Sequence, residues 1–343
     1  FPDGYRLMTG EVVTPGLIDA HSVAGLAGIL NIPHDQDQLE KSDPIQPDLR
    51  AIDAYNPREE LITWLRELGV TTVHTGHGPG ALISGQTMTV KTRGETISEA
   101  LIDSTTMVAF SLGPIVEVNF KKPGTRAKSV AMLREALLEA EAYRSKRQDD
   151  DAANDGKREL GNEVLSQVLN GDLPALVTAQ RATEIMSALR LAEEFGLKIV
   201  LDGAAESYLL IDEIKEAGVP VILHPTMARP SGEMENITFE TAKLLHDAGI
   251  SVALQSGYEG YVPKTRVVLF EAALAAANGM SFEDALATIT VEPARILGIE
   301  DRVGTLTVGK DADIVLFDGD PFEYTTHGCG VIIEGEIMSE TCR

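Results

Sequence analysis

The segments Phe195-Gly-Leu-Lys-Ile-Val-Leu-Asp202, Ala217-Gly-Val-Pro-Val-Ile-Leu-His224 and Ala248-Gly-Ile-Ser-Val-Ala-Leu-Gln255 share one grammar. A helix ends, a glycine follows, and an apolar run starts at once. Leu68-Gly69-Val70 has the same form. Glycine suits the left-handed backbone just past a helix end. The runs Lys198–Leu201, Val219–Leu223 and Ile250–Leu254 are short and almost continuously apolar, as parallel strands buried on both faces are. Between them, Ala188, Leu191, Ala192 and Phe195 keep the spacing of one buried helix face, and so do Leu210, Ile214 and Ala217. Repeated βα units of this kind build a doubly wound sheet or an eight-stranded barrel. Seven strands can be placed in this way, and the eighth falls between Thr87 and Val118.

The 343 residues suit one large barrel plus a minor domain, and 43% hydrophobic content is that of an ordinary globular protein. No apolar run approaches the ~20 residues of a membrane span. Acidic residues outnumber basic ones 53 to 29, for a net charge of -24. Such a surface repels phosphate backbones and anionic lipid, so neither nucleic acid nor a membrane is an expected partner. A soluble protein of cytoplasm or periplasm is expected, with no choice between them.

The cysteines are Cys329 and Cys342, too few for a disulfide scaffold or a cysteine-rich zinc site. Val331–Ile333 and Glu336–Met338 flank Glu334-Gly335, a two-residue hairpin turn. That register sets Cys329 opposite Glu340, two residues short of Cys342; a disulfide is conceivable after some adjustment, but two free thiols are expected. The charged run Ser145–Glu159 reads as a solvated loop tip between helices. From Gly304 the pattern changes to strands joined by tight turns, a small β unit outside the barrel.

Val12-Val-Thr-Pro-Gly-Leu-Ile-Asp-Ala-His21, with Val303-Gly-Thr-Leu-Thr-Val-Gly-Lys-Asp-Ala-Asp-Ile-Val-Leu-Phe-Asp-Gly-Asp-Pro321, resembles the amidohydrolase superfamily. The glycine-rich stretch Gly76–Lys91 is similar to its imidazolonepropionase-like branch. The resemblance implies an α/β fold: a TIM-like (β/α)8 barrel over 14–302, and a small β-sandwich made from both chain ends. Residues 1–13 would be a remnant of the sandwich's N-terminal half, with its last strand around Tyr5–Val13, and 303–343 its C-terminal part. The rest of the N-terminal half would precede Phe1, so a truncated or processed form of a longer protein is expected.

The family's chemistry implies a divalent metal at the C-terminal mouth of the barrel, activating a water, with an aspartate on the last strand carrying protons. Compared position by position, His21 matches, but Val23 stands where a second histidine belongs. Relatives carry histidine near Thr178 or Gln180, and another near Gly203, where only Asp202 and Glu206 are on offer. His224 matches a ligand position. The catalytic aspartate is due near Ser256 or Gly257, yet Ser251–Tyr258 contains none. Most metal-ligand positions are therefore substituted, and no cofactor is expected in this chain.

His21, His74 and His224 each end an expected strand, with His77 just beyond, and strand ends converge at a barrel mouth. His21, His224 and Asp202 are the catalytic candidates. His74, His77, Lys91, Thr178, Gln180, Gln255 and Ser256 are the other pocket candidates. Lys91 would hold a substrate carboxylate or else decorate the surface. Glu206 reads as the start of the helix that follows it. If a metal is bound at all, His21, His224 and His74 would hold zinc or another divalent ion. Two functions follow. One is a non-catalytic barrel that binds a small ligand and pairs, in a homo- or hetero-oligomer, with a metal-competent relative. The other is a hydrolase of C–N bonds, in cyclic amides or dipeptide-like compounds, using a rearranged site around His21 and His224.

Overall fold

In the computed structural model, which describes residues 5–30, 32–148, 157–227, 230–258 and 267–342, all four helix-ending glycines take positive φ, 64° at Gly196 and 65° at Gly218. The chain reverses there without a Cβ to clash, and the strand begins within a few residues. The strands are β1 (Val12–Pro15), β2 (Leu17–Ser22), β3 (Val70–Thr75), β4 (Ile83–Gln86), β5 (Met88–Lys91), β6 (Leu101–Asp103) and β7 (Val108–Ser111). They continue as β8 (Ala175–Ala179), β9 (Ile199–Gly203), β10 (Val221–Leu223), β11 (Val252–Leu254), β12 (Ile314–Phe317), β13 (Gly328–Ile333) and β14 (Glu336–Ser339). β9, β10 and β11 each start one or two residues later than their apolar runs. The expected first strand at Tyr5–Val13 instead begins at Val12 and crosses the 13/14 boundary drawn from sequence.

Strands β7, β8, β9, β10 and β11 lie parallel in that order in one sheet, with β4 antiparallel on the β7 edge. A second sheet holds β2 and β3 in parallel, then β5 and β6 antiparallel. The two sheets meet at both edges. The chain crosses from β4 to β5 through Thr87, and Ser22 at the end of β2 bridges Gly257 just beyond β11. No continuous ladder closes the wall among the described residues, and the arrangement is consistent with a TIM-like barrel. The strand sought between Thr87 and Val118 is β7.

Helices of the repeats, such as Ala182–Phe195 and Ile211–Ala217, pack through Ile185, Ala188, Leu191 and Ile214 on the outer strand faces at Val177, Leu201, Val221 and Leu223. A second apolar cluster lies inside: Ile18, Leu176, Val200, Ile222 and Ala253 from the strands, with Ala294, Leu297, Ile299 and Val303 beneath them. The loop reading of Ser145–Glu159 is met in part by helix, since Arg126–Gln148 runs into it; 149–156 lie outside the described residues. No helix among the described residues is long and apolar enough to cross a membrane.

The chain ends meet in one antiparallel sheet, β1-β12-β13-β14. A second layer, which a sandwich requires, is not among the described residues. Glu334 and Gly335 form the turn with φ of 53° and 79°, as a two-residue hairpin asks. The two cysteines are joined in a disulfide, against the expectation of free thiols. The reason is a bulge: Ile332 faces Ile337, but Val331 faces Ser339, so the register slips towards Cys342.

Lys91 also corrects the sequence reading. β5 runs antiparallel to β3, with Thr72 opposite Lys91 and Thr75 opposite Met88. The end of β5 therefore lies at the foot of β3, far from the mouth. There Lys91 is 1% exposed and its ammonium holds Asp313 and Asp311, the latter at 3.1 Å. Asp311 also takes Arg302 at 2.8 Å, and Asp313 accepts the Glu334 amide at 3.0 Å. This cluster fastens the C-terminal sheet to the barrel. Lys91→Met strands the buried Asp313 charge and is expected to destabilise the fold by about 3–5 kcal/mol in urea unfolding. The double variant Lys91→Met/Asp313→Asn should regain much of that loss; a single-variant loss under about 1 kcal/mol would contradict a buried ion pair of this kind.

Candidate functional site

The strands present two inner layers. Leu176, Val200, Ile222 and Ala253 form the lower one, and it is apolar. Two residues further along the same strands come Thr178, Asp202, His224 and Gln255, all buried and all polar. A strand's period of two puts each pair on one face, so the polar layer lies at the C-terminal ends, where a barrel carries its chemistry. β2 joins this layer through a bulge. Asp19 faces Val73 and Ser22 faces Thr75, three steps on one strand against two on the other. The extra residue re-aims the strand end, and His21 meets Asp202.

Asp202 is the centre. His21 Nδ1 donates to its Oδ1 at 2.8 Å, Gln255 Nε2 to the same oxygen at 2.9 Å, and Thr178 Oγ1 to Oδ2 at 2.6 Å. Burial alone would raise the Asp202 carboxyl, but the His21 charge and these bonds hold it below its ordinary range. Burial likewise pulls the His21 ring down, yet the neighbouring Asp202 charge and hydrogen bond, helped by Asp19, outweigh it and leave His21 raised. His21 Nε2 is buried and has no partner.

His224, at the end of β10, donates Nδ1 to the Pro225 carbonyl at 2.9 Å and leaves a buried, unpartnered Nε2. Burial holds its pKa down to about 4, so the ring is neutral and that nitrogen can only accept. Gln255 Oε1 is also buried without a partner.

His74 is used up. Its Nδ1 donates to the Ala20 carbonyl at 2.7 Å, and its Nε2 lies 2.7 Å from Thr87 Oγ1. Burial, with the His21 charge, pushes its pKa down to about 3. It is a strut between β2, β3 and the β4–β5 junction. His77 follows β3 in the loop, 5% exposed, with neither ring nitrogen partnered and a pKa lowered to about 4 by burial.

Other candidates serve the scaffold. Gln180 accepts the Ala205 amide at 3.3 Å, tying the ends of β8 and β9. Ser256 donates its amide to Asp19 at 3.0 Å and its hydroxyl to the same carboxylate, which burial raises to about 7 despite those bonds. Asp19 escaped the sequence reading, although its i, i+2 spacing from His21 was the available signal. Glu206 does stand at the start of the short 3-10 helix Ser207–Leu209, but its carboxylate serves another helix: it accepts the Ala182 amide at 2.7 Å, at the head of the helix Ala182–Phe195, and the Asn236 side chain at 2.7 Å. It makes no pair with Asp202. Lys91 is absent from this layer, as the topology requires.

The divalent metal implied by the resemblance can be tested on the donors. His21 and His224 each offer one free nitrogen, but both of His74's nitrogens are already bonded. Among the described residues, no three His, Cys, Asp or Glu donor atoms converge at the mouth. The residues present do not fit a three-ligand metal site there.

A family model described as the amidohydrolase family matches residues 190–338. The amidohydrolase tasK of Hapsidospora irregularis is 26% identical over 95% of this chain, which spans only 36% of that protein. The imidazolonepropionase of Fusobacterium nucleatum subsp. nucleatum is 25% identical, covering 94% of this chain and 80% of its own length. The solved structure of an amidohydrolase from Thermotoga maritima superposes with a TM-score of 0.91 at 30% identity, over 96% of this chain and 87% of that one. A chain that keeps this fold over nearly its whole length at that identity belongs to the amidohydrolase superfamily, in the imidazolonepropionase-like branch.

Proposed function

We propose that the chain is a hydrolase of C–N bonds in cyclic amides or dipeptide-like compounds, with His21 as its general base. The observation that carries this reading is the His21–Asp202 pair: one ring nitrogen is fixed on a buried carboxylate and the other is buried and unpartnered. That is the arrangement by which a carboxylate sets a histidine's tautomer and raises its basicity. His21 Nε2 would take a proton from the attacking water as the oxygen adds to the amide carbonyl. The resulting imidazolium returns the proton to the leaving nitrogen as the C–N bond breaks. His224 Nε2 and Gln255 Oε1, acceptors only, would hold substrate N–H groups or the second proton of the water. The relatives' names support an amide-type substrate without fixing which one.

General acid–base catalysis is worth about 10²–10⁴ in rate, so His21→Gln, which keeps a donor for Asp202 but not the charge, should lower kcat on a cyclic amide by that factor in protein that stays folded at the assay temperature, with a lowered melting temperature. Unaltered kcat would remove His21 from the chemistry. Because Asp202 raises His21, the rate should climb with pH through a midpoint above the ordinary histidine value of about 6.5. Asp202→Asn should move that midpoint down and lower the plateau; a midpoint that stays put would break the link between the two residues.

A second reading is favoured by Val23, which stands where the family's second histidine belongs, and by the saturation of His74, which leaves His21 and His224 without a third imidazole. In it the barrel is a non-catalytic subunit that binds a small ligand and pairs with a metal-competent relative. Absence of turnover across a panel of lactams, cyclic ureas and dipeptides, with a second amidohydrolase chain copurifying, would support it over the hydrolase. In either reading, oxidised protein purified without chelator should carry well below one divalent metal per chain. Near-stoichiometric metal that disappears in His224→Ala would overturn the donor analysis.

A further inference from the structure

Far from the barrel mouth, one end of the C-terminal sheet gathers two sulfurs and a carboxylate. β12 ends at Phe317, β13 begins at Gly328 and β14 ends at Ser339. Their antiparallel order sets these three ends side by side. Asp318, Cys329 and Cys342 lie there, and one donor atom from each falls within 4.8 Å of the other two. Asp318 is already oriented: the His327 amide donates to Oδ1 at 2.7 Å, and His327 Nδ1 lies 3.2 Å from Oδ2. Those bonds, the amide first, hold its carboxyl below the ordinary range, so it is ionised at neutral pH. Asp318 and Cys342 are exposed and Cys329 half-buried, open to an ion and to a reductant.

We propose that the reduced chain binds a zinc ion between the thiolates of Cys329 and Cys342 and the carboxylate of Asp318, with water in the fourth position. Zinc takes thiolate at about 2.3 Å and carboxylate at about 2.0–2.2 Å in a tetrahedron, which puts ligand atoms roughly 3.5–3.8 Å apart. In the disulfide the two sulfurs are closer than that, so opening the bond must let them separate to reach this spacing, while the Asp318 oxygen already lies within 4.8 Å of both. Two soft sulfurs and one hard oxygen suit zinc better than calcium or magnesium, which prefer oxygen alone. His327 is a positioning residue: its amide and ring engage the two carboxylate oxygens, each of which keeps a second lone pair for the ion. In the disulfide the sulfurs carry no charge and cannot compete for the ion. Reduction by a phosphine breaks the S–S bond; water supplies the oxygen of the phosphine oxide and the two thiol protons, and zinc binding then releases those protons to solvent. The site is therefore open only in the reduced chain, and it is independent of whether the barrel mouth is catalytic.

The test compares the whole chain oxidised and reduced by a water-soluble phosphine, desalted and titrated with zinc against a chromophoric chelator. Reduced protein is expected to take up one more zinc per chain than oxidised protein. Cobalt(II) in its place should give a thiolate-to-metal charge-transfer band in the near ultraviolet and the intense visible bands of a tetrahedral ion. Cys329→Ser should abolish the extra uptake, and Asp318→Asn should weaken it about 10–100-fold, the range of such ligand-sphere losses. His224→Ala should leave it unchanged, which separates this site from anything bound at the mouth. Equal uptake by oxidised and reduced protein, cobalt bound without a thiolate band, or unaltered affinity in Asp318→Asn would each overturn the assignment. The wild-type comparison needs no variant, so it stands even where a substitution prevents folding.

Discussion

The buried carboxylate of Asp202 is the constraint on which the mouth depends. Three side chains donate to it from three other strands: His21 from β2, Thr178 from β8 and Gln255 just past β11. A lone charge at 0% exposure would be ruinous, costing several kcal/mol even after relaxation. Surrounded by donors, it becomes the hub of the layer. It also spans the seam where the backbone ladder fails. β11 and β2 share one isolated bridge, Ser22 to Gly257, and the side-chain links Gln255–Asp202–His21 and Ser256–Asp19 cross the same gap. The wall is held there by the polar layer more than by the sheet.

What the sequence discloses about this fold is what local chemistry dictates. A glycine after an amphipathic helix and before a Val/Ile run permits little else, and β9, β10 and β11 follow within a residue or two. What it hides is direction and register. Thr87–Lys91 reads as a strand whichever way it runs, and only pairing with β3 makes it antiparallel and sends Lys91 to the foot of the barrel. The partners that capture Lys91 lie more than two hundred residues away in Asp311-Ala-Asp313, and no spacing rule connects them. The cysteines fail in the same way. The turn at Glu334-Gly335 is legible, but a single-residue bulge beyond it is not, and that bulge decides whether two sulfurs meet.

The candidate site divides along the same line. Strand ends could be read, so His21, Asp202, Thr178, His224 and Gln255 were all identified as residues near the mouth, and they share one layer. Hydrogen-bond occupancy could not be read. His74 looks like His224 in sequence, each a histidine at the end of an apolar strand. Yet one is bonded at both nitrogens and the other keeps a free acceptor. The difference arises from Thr87, which the sheet crossing carries to His74 and to nothing comparable at His224. Glu206 teaches a related lesson: its place at the start of the next helix is legible, but that its carboxylate caps the preceding helix instead is not.

The unpartnered atoms carry the functional argument because leaving them so is costly. A buried polar atom without a partner loses about 1–3 kcal/mol of hydrogen bonding that water would have supplied. His21 Nε2, His224 Nε2 and Gln255 Oε1 all bear that cost within one layer, while Asp202 at its centre is satisfied on every side. Buried atoms without a partner occur elsewhere too, at Tyr55, Thr71 and Ser84 among others; what sets these three apart is that they share the layer that holds the Asp202 charge. Neutral His224 cannot donate through its free nitrogen, and Gln255 Oε1 cannot donate at all, so the missing partner must bring N–H or O–H groups. Water meets that description, and so does an amide. Under the proposed reading, a base fixed on a buried carboxylate and set among acceptors that call for both is the combination amide hydrolysis requires, built around His21 and His224, which stand at positions matching the family's ligands, and around Asp202, which does not.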